Sequence, residues 1–101
     1  MSAPTLAFVV KLVARPGLED EVAGFLAGAL GLANAETGTM VWFALRTDSA
    51  TFWIVDAFET EDARQAHISG PIAAALLANA DRLLAEAPQI LPAEVLAAKV
   101  S

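Results

Sequence analysis

The chain has no cysteine among its 101 residues, which removes disulfides and thiolate nucleophiles from consideration. It has one histidine, His67, and one imidazole without a thiolate beside it is too few ligands for an ordinary zinc site. A carboxylate-only metal site would need acidic residues clustered for it, and no such cluster is visible. None of the six glycines stands in a G-x-G-x-x-G or phosphate-loop pattern, so no nucleotide or flavin loop is expected. The expectation is therefore no cofactor. Basic residues are scarce, with six Lys and Arg against twelve Asp and Glu for a formal net charge of −6. Without a basic cluster to neutralise phosphates, nucleic acid is a poor partner. No uncharged apolar run reaches about 18 residues, and MSAPTLAF lacks a basic segment followed by a cleavage site. A soluble, cytoplasmic protein with no membrane partner is expected.

Apolar residues, by contrast, are abundant. The hydrophobic fraction is 56%, against roughly 45–50% in typical soluble domains. A chain of this length reads as one domain over residues 1–101, large enough for a core but too small to cover both faces of a sheet by itself.

The order of elements follows from periodicity. Leu6 to Ala14 reads as a strand with two apolar faces broken only by Lys11. Arg15-Pro16-Gly17 is a turn, and Glu19, Asp20 and Glu21 then open a helix by opposing the positive end of its dipole. Val22, Phe25, Leu26, Ala29 and Ala33 make its apolar stripe to about Asn34. Gly24, Gly28 and Gly31 lie on its other side, read as close approach of another backbone or tolerance in a well-buried helix rather than as a membrane motif.

Thr39 to Arg46 and Phe52 to Phe58 are rich in β-branched and aromatic residues and flank a turn at Thr47-Asp48-Ser49-Ala50, which makes an antiparallel hairpin. Thr60 caps a short helix to about Ile68, and Pro71 restarts a second segment to about Ala87 with Ile72, Leu76, Leu83 and Leu84 buried. The weakly alternating run from Ala93 to Val100 is read as the last strand, placed at an edge by Pro88 and Pro92. The resulting fold class is α+β, a ferredoxin-like βαββαβ arrangement with an antiparallel sheet. Helices cover one face of such a sheet. The other carries Val9, Val13, Val41, Phe43, Leu45, Trp53 and Val55, too apolar for water, so a homodimer through sheet faces is expected.

Within this frame a few residues can carry chemistry. His67 is the one side chain whose ordinary pKa lies near neutrality, and it serves either as a general base or as a structural group bonding a nearby carbonyl or carboxylate. Asp56 shares a strand face with Phe52, Ile54 and Phe58 and so points toward the helices, where a carboxylate needs a partner. The default partner is an arginine, Arg46 or Arg64, in a structural ion pair. His67 is the alternative, and would make an oriented acid/base dyad. Trp42 is read first as core packing and second as the wall of a flat pocket.

The order Glu36-x-Gly38, Trp42, Asp56-x-Phe58-Glu59, then Ala66-His67-x-Ser69-x-Pro71, with Arg15-Pro16-Gly17 upstream, resembles the antibiotic biosynthesis monooxygenase family, including its quinol monooxygenase-like members. The similarity runs over about nine tenths of the chain through short motifs that specify a fold more than a reaction. It implies a dimeric α/β barrel and, in a catalytic member, a cofactor-independent oxygenation of a small phenol or quinol by O2. Residues carried over on that basis are His67 and Asp56 as catalytic groups, and Trp42, Arg46, Phe58, Val10 and Leu77 as pocket walls. Haem-degrading relatives use an asparagine, a tryptophan and a histidine at the positions of Val10, His67 and Leu77, so haem is not expected. Two other readings stand beside the oxygenase: an isomerase of a small phosphorylated signalling metabolite, disfavoured by the acidic, apolar composition, and a non-catalytic dimeric ligand-binding module.

Overall fold

In the computed structural model, residues 3–100 are described. The chain runs β1 (Leu6–Val13), α1 (Glu19–Gly28), α2 (Leu30–Ala35), β2 (Thr39–Arg46), β3 (Thr51–Phe58), α3 (Glu61–Ile68), α4 (Pro71–Leu83) and β4 (Gln89–Glu94). The four strands form one antiparallel sheet in the order β2-β3-β1-β4, the α+β arrangement the sequence pattern predicts. Phe8, Val10, Leu12, Phe52, Ile54 and Phe58 point to one side of it and are buried with Val22, Leu26, Leu76 and Leu83 from the helices. That alternation is what fixes the register, since a one-residue slip would exchange the core face for the outer one.

Local chemistry accounts for most boundaries. Asp48 Oδ1 accepts from the backbone N–H groups of Ala50 (3.0 Å) and Thr51 (2.9 Å), closing the β2–β3 turn. Those donors, Ala50 first, hold the Asp48 carboxyl below its ordinary pKa. Thr60 Oγ1 accepts from Ala63 N–H at 3.1 Å, the side-chain cap expected at the start of α3. Gly17 takes the one positive φ, +89°, among the described residues, and Arg15 ties its turn to the end of α4 through two bonds to the Asp81 carbonyl.

Four expectations are corrected. The helix predicted to run unbroken to Asn34 is two, because the backbone tightens at Ala29, whose N–H bonds the Leu26 carbonyl before α2 begins. Gly24, Gly28 and Gly31 are exposed, with no atom near enough to touch an added Cβ, so within this chain neither close backbone approach nor deep burial explains them. The long helical segment stops at Leu83 rather than Ala87: Leu84 turns extended and bridges Ala14. The last strand is Gln89–Glu94 rather than Ala93–Val100. Pro92 is tolerated within it because β4 is an edge strand, paired only with β1.

The uncovered side of the sheet carries an apolar row that crosses all four strands in register: Phe43, Val55, Val9 and Leu91. Leu45 and Trp53 lie beside it in the adjacent row. Phe43 is 56% and Leu45 46% exposed. Among the described residues no helix is long and apolar enough to cross a membrane.

Candidate functional site

The site is built where α3 crosses the end of the β3–β1 pair. Asp56 stands in register with Phe8 on β1, on the helix-facing side of β3, and its Oδ1 accepts from Phe8 N–H at 3.3 Å. It is 1% exposed. His67 comes down onto it from the last turn of α3, 6% exposed, with its ring 5.1 Å from that of Phe58. The His67 Nε2 lies 2.9 Å from Asp56 Oδ2. The contact is within ion-pair distance, yet Oδ2 is enclosed and no hydrogen bond reaches it.

The opposite nitrogen meets a group that sequence reasoning left out of the site. Glu36, in the turn between α2 and β2, places Oε1 2.5 Å from His67 Nδ1. The same oxygen accepts from the Thr39 hydroxyl at 2.7 Å. Two donors converging on one oxygen suit an ionised carboxylate, which only accepts, so Nδ1 carries a hydrogen. Gly38 makes this approach possible. A Cβ there would come within 2.9 Å of Ala63 Cβ on α3, so only glycine lets the turn press against the helix that carries His67.

The imidazole is thus held between two carboxylates. Burial acts most strongly on it and would lower its pKa, but the close negative carboxylates of Asp56, then Glu36, together outweigh burial and raise it above the ordinary value. The default arginine partner for Asp56 is corrected. Arg64 is turned away to Glu61 at 2.7 Å and lies over the Phe8 ring, and Arg46 bonds the Ser49 carbonyl and stacks on Phe52 at the far end of the hairpin.

Asp56 and His67 form the polar end of an otherwise apolar pocket of about 90 Å³, walled by Phe8, Val10, Ile54, Ile72, Leu76 and Ile90. Leu77, 59% exposed, stands at its rim. Of the predicted pocket residues, Val10 and Leu77 border this space; Trp42, Arg46 and Phe58 do not. Trp42 packs between the main core and the smaller group of Ala29, Ala33 and Ile72, Arg46 lines a separate hollow with Ala23 and Leu26, and Phe58 lies fully buried beneath His67. On the Nδ1 side, Glu36, Gly38, Ala63, Gly70 and Pro71 border a second, outer cleft of about 260 Å³ that also reaches His67. Glu36 and Asp56 sit at opposite nitrogens of one ring and do not converge on a point; among the described residues no group of three or more His, Cys, Asp or Glu is placed to hold a metal ion.

No protein-family model and no curated protein matches the chain. Solved structures do. A protein of unknown function from Nitrosomonas europaea, NE2512, is 54% identical, with a TM-score of 0.95 over 97% of this chain and 95% of its own. Another Nitrosomonas europaea protein, provisionally assigned as an antibiotic biosynthesis monooxygenase, superposes with a TM-score of 0.81 at 14% identity, over 95% of this chain and 94% of that one. A similarly assigned protein from Chloroflexus aurantiacus gives 0.68 at 18% identity, over 96% and 99%. The last two likenesses are likenesses of fold. The chain belongs to the family of the Nitrosomonas europaea NE2512 protein, and that family is built on the ferredoxin-like fold found in antibiotic biosynthesis monooxygenase-like proteins.

Proposed function

We propose that the protein is a cofactor-independent monooxygenase that takes a small phenol or quinol into the Asp56–His67 pocket and oxygenates it with O2. The observation that supports this is a buried imidazole, flanked by carboxylates, facing an apolar pocket with no other ionisable lining. An apolar ring fills the space and its hydroxyl meets the polar end. His67 removes the hydroxyl proton, and the electron-rich anion reduces O2 itself. For a single-ring hydroquinone, one oxygen atom becomes a ring hydroxyl and the other leaves as water with the two hydrogens given up as the ring becomes a quinone.

Proton transfer sets the substrate range. A phenol near pKa 10 and an imidazole near 6.5 differ by about 3.5 units, roughly 5 kcal/mol uphill. The carboxylates that raise the pKa of His67 narrow this gap, and an easily ionised polyphenol narrows it further. Size limits the range as well. A cavity of about 150 Å³ accommodates benzene in an engineered case, so a pocket of about 90 Å³ takes one ring only if Leu77 at the rim gives way. Single-ring quinols fit this site better than fused polycyclic phenols.

The homodimer belongs to the same proposal. Facing the row Phe43, Val55, Val9 and Leu91 with its copy would hide several hundred Å² per subunit, on the order of 10 kcal/mol at about 25 cal/mol per Å² before the costs of association. A second reading, a non-catalytic ligand-binding module, is favoured by the short contacts that tie the three ionisable groups to one another. An isomerase of a phosphorylated metabolite is disfavoured, because two carboxylates flanking the ring repel a phosphate.

Oxygen uptake with a panel of single-ring hydroquinones separates these readings. Turnover above the buffer blank that falls roughly a hundredfold or more in His67→Ala, the range for loss of a general base, is expected. Binding without uptake by the native protein would leave the module.

A further inference from the structure

The chain places its one histidine as a partition between two spaces. Asp56 and the Nε2 side of His67 face the apolar pocket, whereas Glu36, on the Nδ1 side, borders the outer cleft with Gly38, Ala63, Gly70 and Pro71. Glu36 does not line the pocket and cannot touch a ligand there. It is nonetheless built in with care. Its Oε1 is fixed by the Thr39 hydroxyl, and the whole turn is brought against α3 by a glycine whose replacement would clash. Its Oε2 is enclosed without a partner.

We propose that Glu36 is a positioning residue that fixes the resting His67 imidazole in its Nδ1–H tautomer and reversibly exchanges the Nδ1 proton with it from the side of the outer cleft, leaving Nε2 and Asp56 as the basic face of the pocket. The proposal rests on the acid/base reading of the site given above. Its logic is that of a buried carboxylate orienting a catalytic imidazole from behind. When a ligand hydroxyl gives its proton to Nε2, the ring becomes a cation; the Nδ1 proton then passes to Glu36 Oε1, leaving a neutral Nε2–H ring. Only O–H and N–H bonds break and form: when Nε2 returns its proton to the reduced oxygen, Glu36 returns its own to Nδ1, which restores the neutral Nδ1–H ring with no net proton released.

Charge around the ring comes from these two carboxylates. β1 and α4 present Phe8, Ile72, Ala73 and Leu76 to the pocket beside it, all uncharged, and Arg64 on α3 is engaged by Glu61. Removing the charge of Glu36 therefore has a defined consequence, because an adjacent opposite charge shifts a pKa by about 1–3 units.

The test uses the full chain labelled with ¹⁵N, in which the single histidine makes the ring signals unambiguous. Above its titration midpoint, native His67 should show the Nδ1–H tautomer. In Glu36→Gln the midpoint should fall by about one unit or more. Glu36→Asp should restore part of that fall. With a hydroquinone that the native protein oxidises, Glu36→Gln should lower kcat roughly tenfold or more while KM stays within about twofold, since pocket contacts are intact. A native ring in the Nε2–H tautomer, or a folded Glu36→Gln protein with an unchanged midpoint, would overturn the proposal. Should Glu36→Gln not fold, the tautomer of the native protein decides alone. Should no hydroquinone be oxidised, the oxygenase reading fails, and the two ring measurements still decide the role of Glu36.

Discussion

His67 is the residue on which the chemistry turns, and its surroundings tie protonation to stability. Its folded pKa lies above the ordinary value that an unfolded chain would show, about 6.5. A group of this kind contributes stability that is fully present below the unfolded pKa and is lost as pH rises through the folded one. The urea midpoint of the native protein should accordingly fall between about pH 6.5 and the folded pKa of His67, and in His67→Gln that fall should be absent. An identical pH profile in the two proteins would contradict it. At this scale the sequence was legible in part. Asp56 was marked by its place on an apolar strand face, and His67 by being the only histidine. Their pairing was named only as the alternative to an arginine, because residues 11 apart on a strand and a helix meet only through the crossing of the two elements. Glu36 was harder still. It appeared only in the Glu36-x-Gly38 pair that carries part of the family resemblance, and nothing in a linear reading marks a carboxylate 31 positions from the histidine as its neighbour.

At the level of elements, what was read correctly had a strong local cause. The hairpin, the Thr60 cap and the restart at Pro71 each depend on chemistry within a few residues. What was missed depended on distant partners. Leu84 leaves its helix to pair with Ala14, and the edge strand begins at Gln89 because β1 offers a free edge there, which outweighs the better alternation further along the chain. The close approach of the α2–β2 turn to α3 is likewise a tertiary fact with a sequence trace, Gly38. Replacing Gly38 with Ala should destabilise the fold by about 1–3 kcal/mol, the usual cost of overpacking, because the added methyl must displace Ala63 or the turn. Urea denaturation measures this directly. A change under about 0.5 kcal/mol, the ordinary scatter of surface substitutions, would mean that the turn and helix are not held in contact.

For the molecule as a whole, the uncovered sheet face decides whether the monomer is a complete protein. Phe43, Val55 and Val9 were legible as one face from strand parity, since period-two alternation fixes which side chains share a face, whereas Leu91 was not, because the last strand was read as Ala93–Val100. If two such faces meet, folding and association are coupled. Light scattering at micromolar concentration should give twice the chain mass, and Phe43→Glu should yield insoluble or unfolded protein. A stable, folded native monomer would sink the dimer.

The central claim is that a buried imidazole, kept basic by two carboxylates, confronts a ligand hydroxyl in the apolar pocket, and one measurement reaches it without waiting for turnover. The ring resonances of the single histidine can be followed against pH in the native protein, first alone and then with a saturating, unreactive single-ring phenol. The account predicts a midpoint above about 6.5 in the free protein, and saturable movement of the His67 signals when the phenol is added. A midpoint at or below that value, with signals indifferent to the phenol, would contradict it.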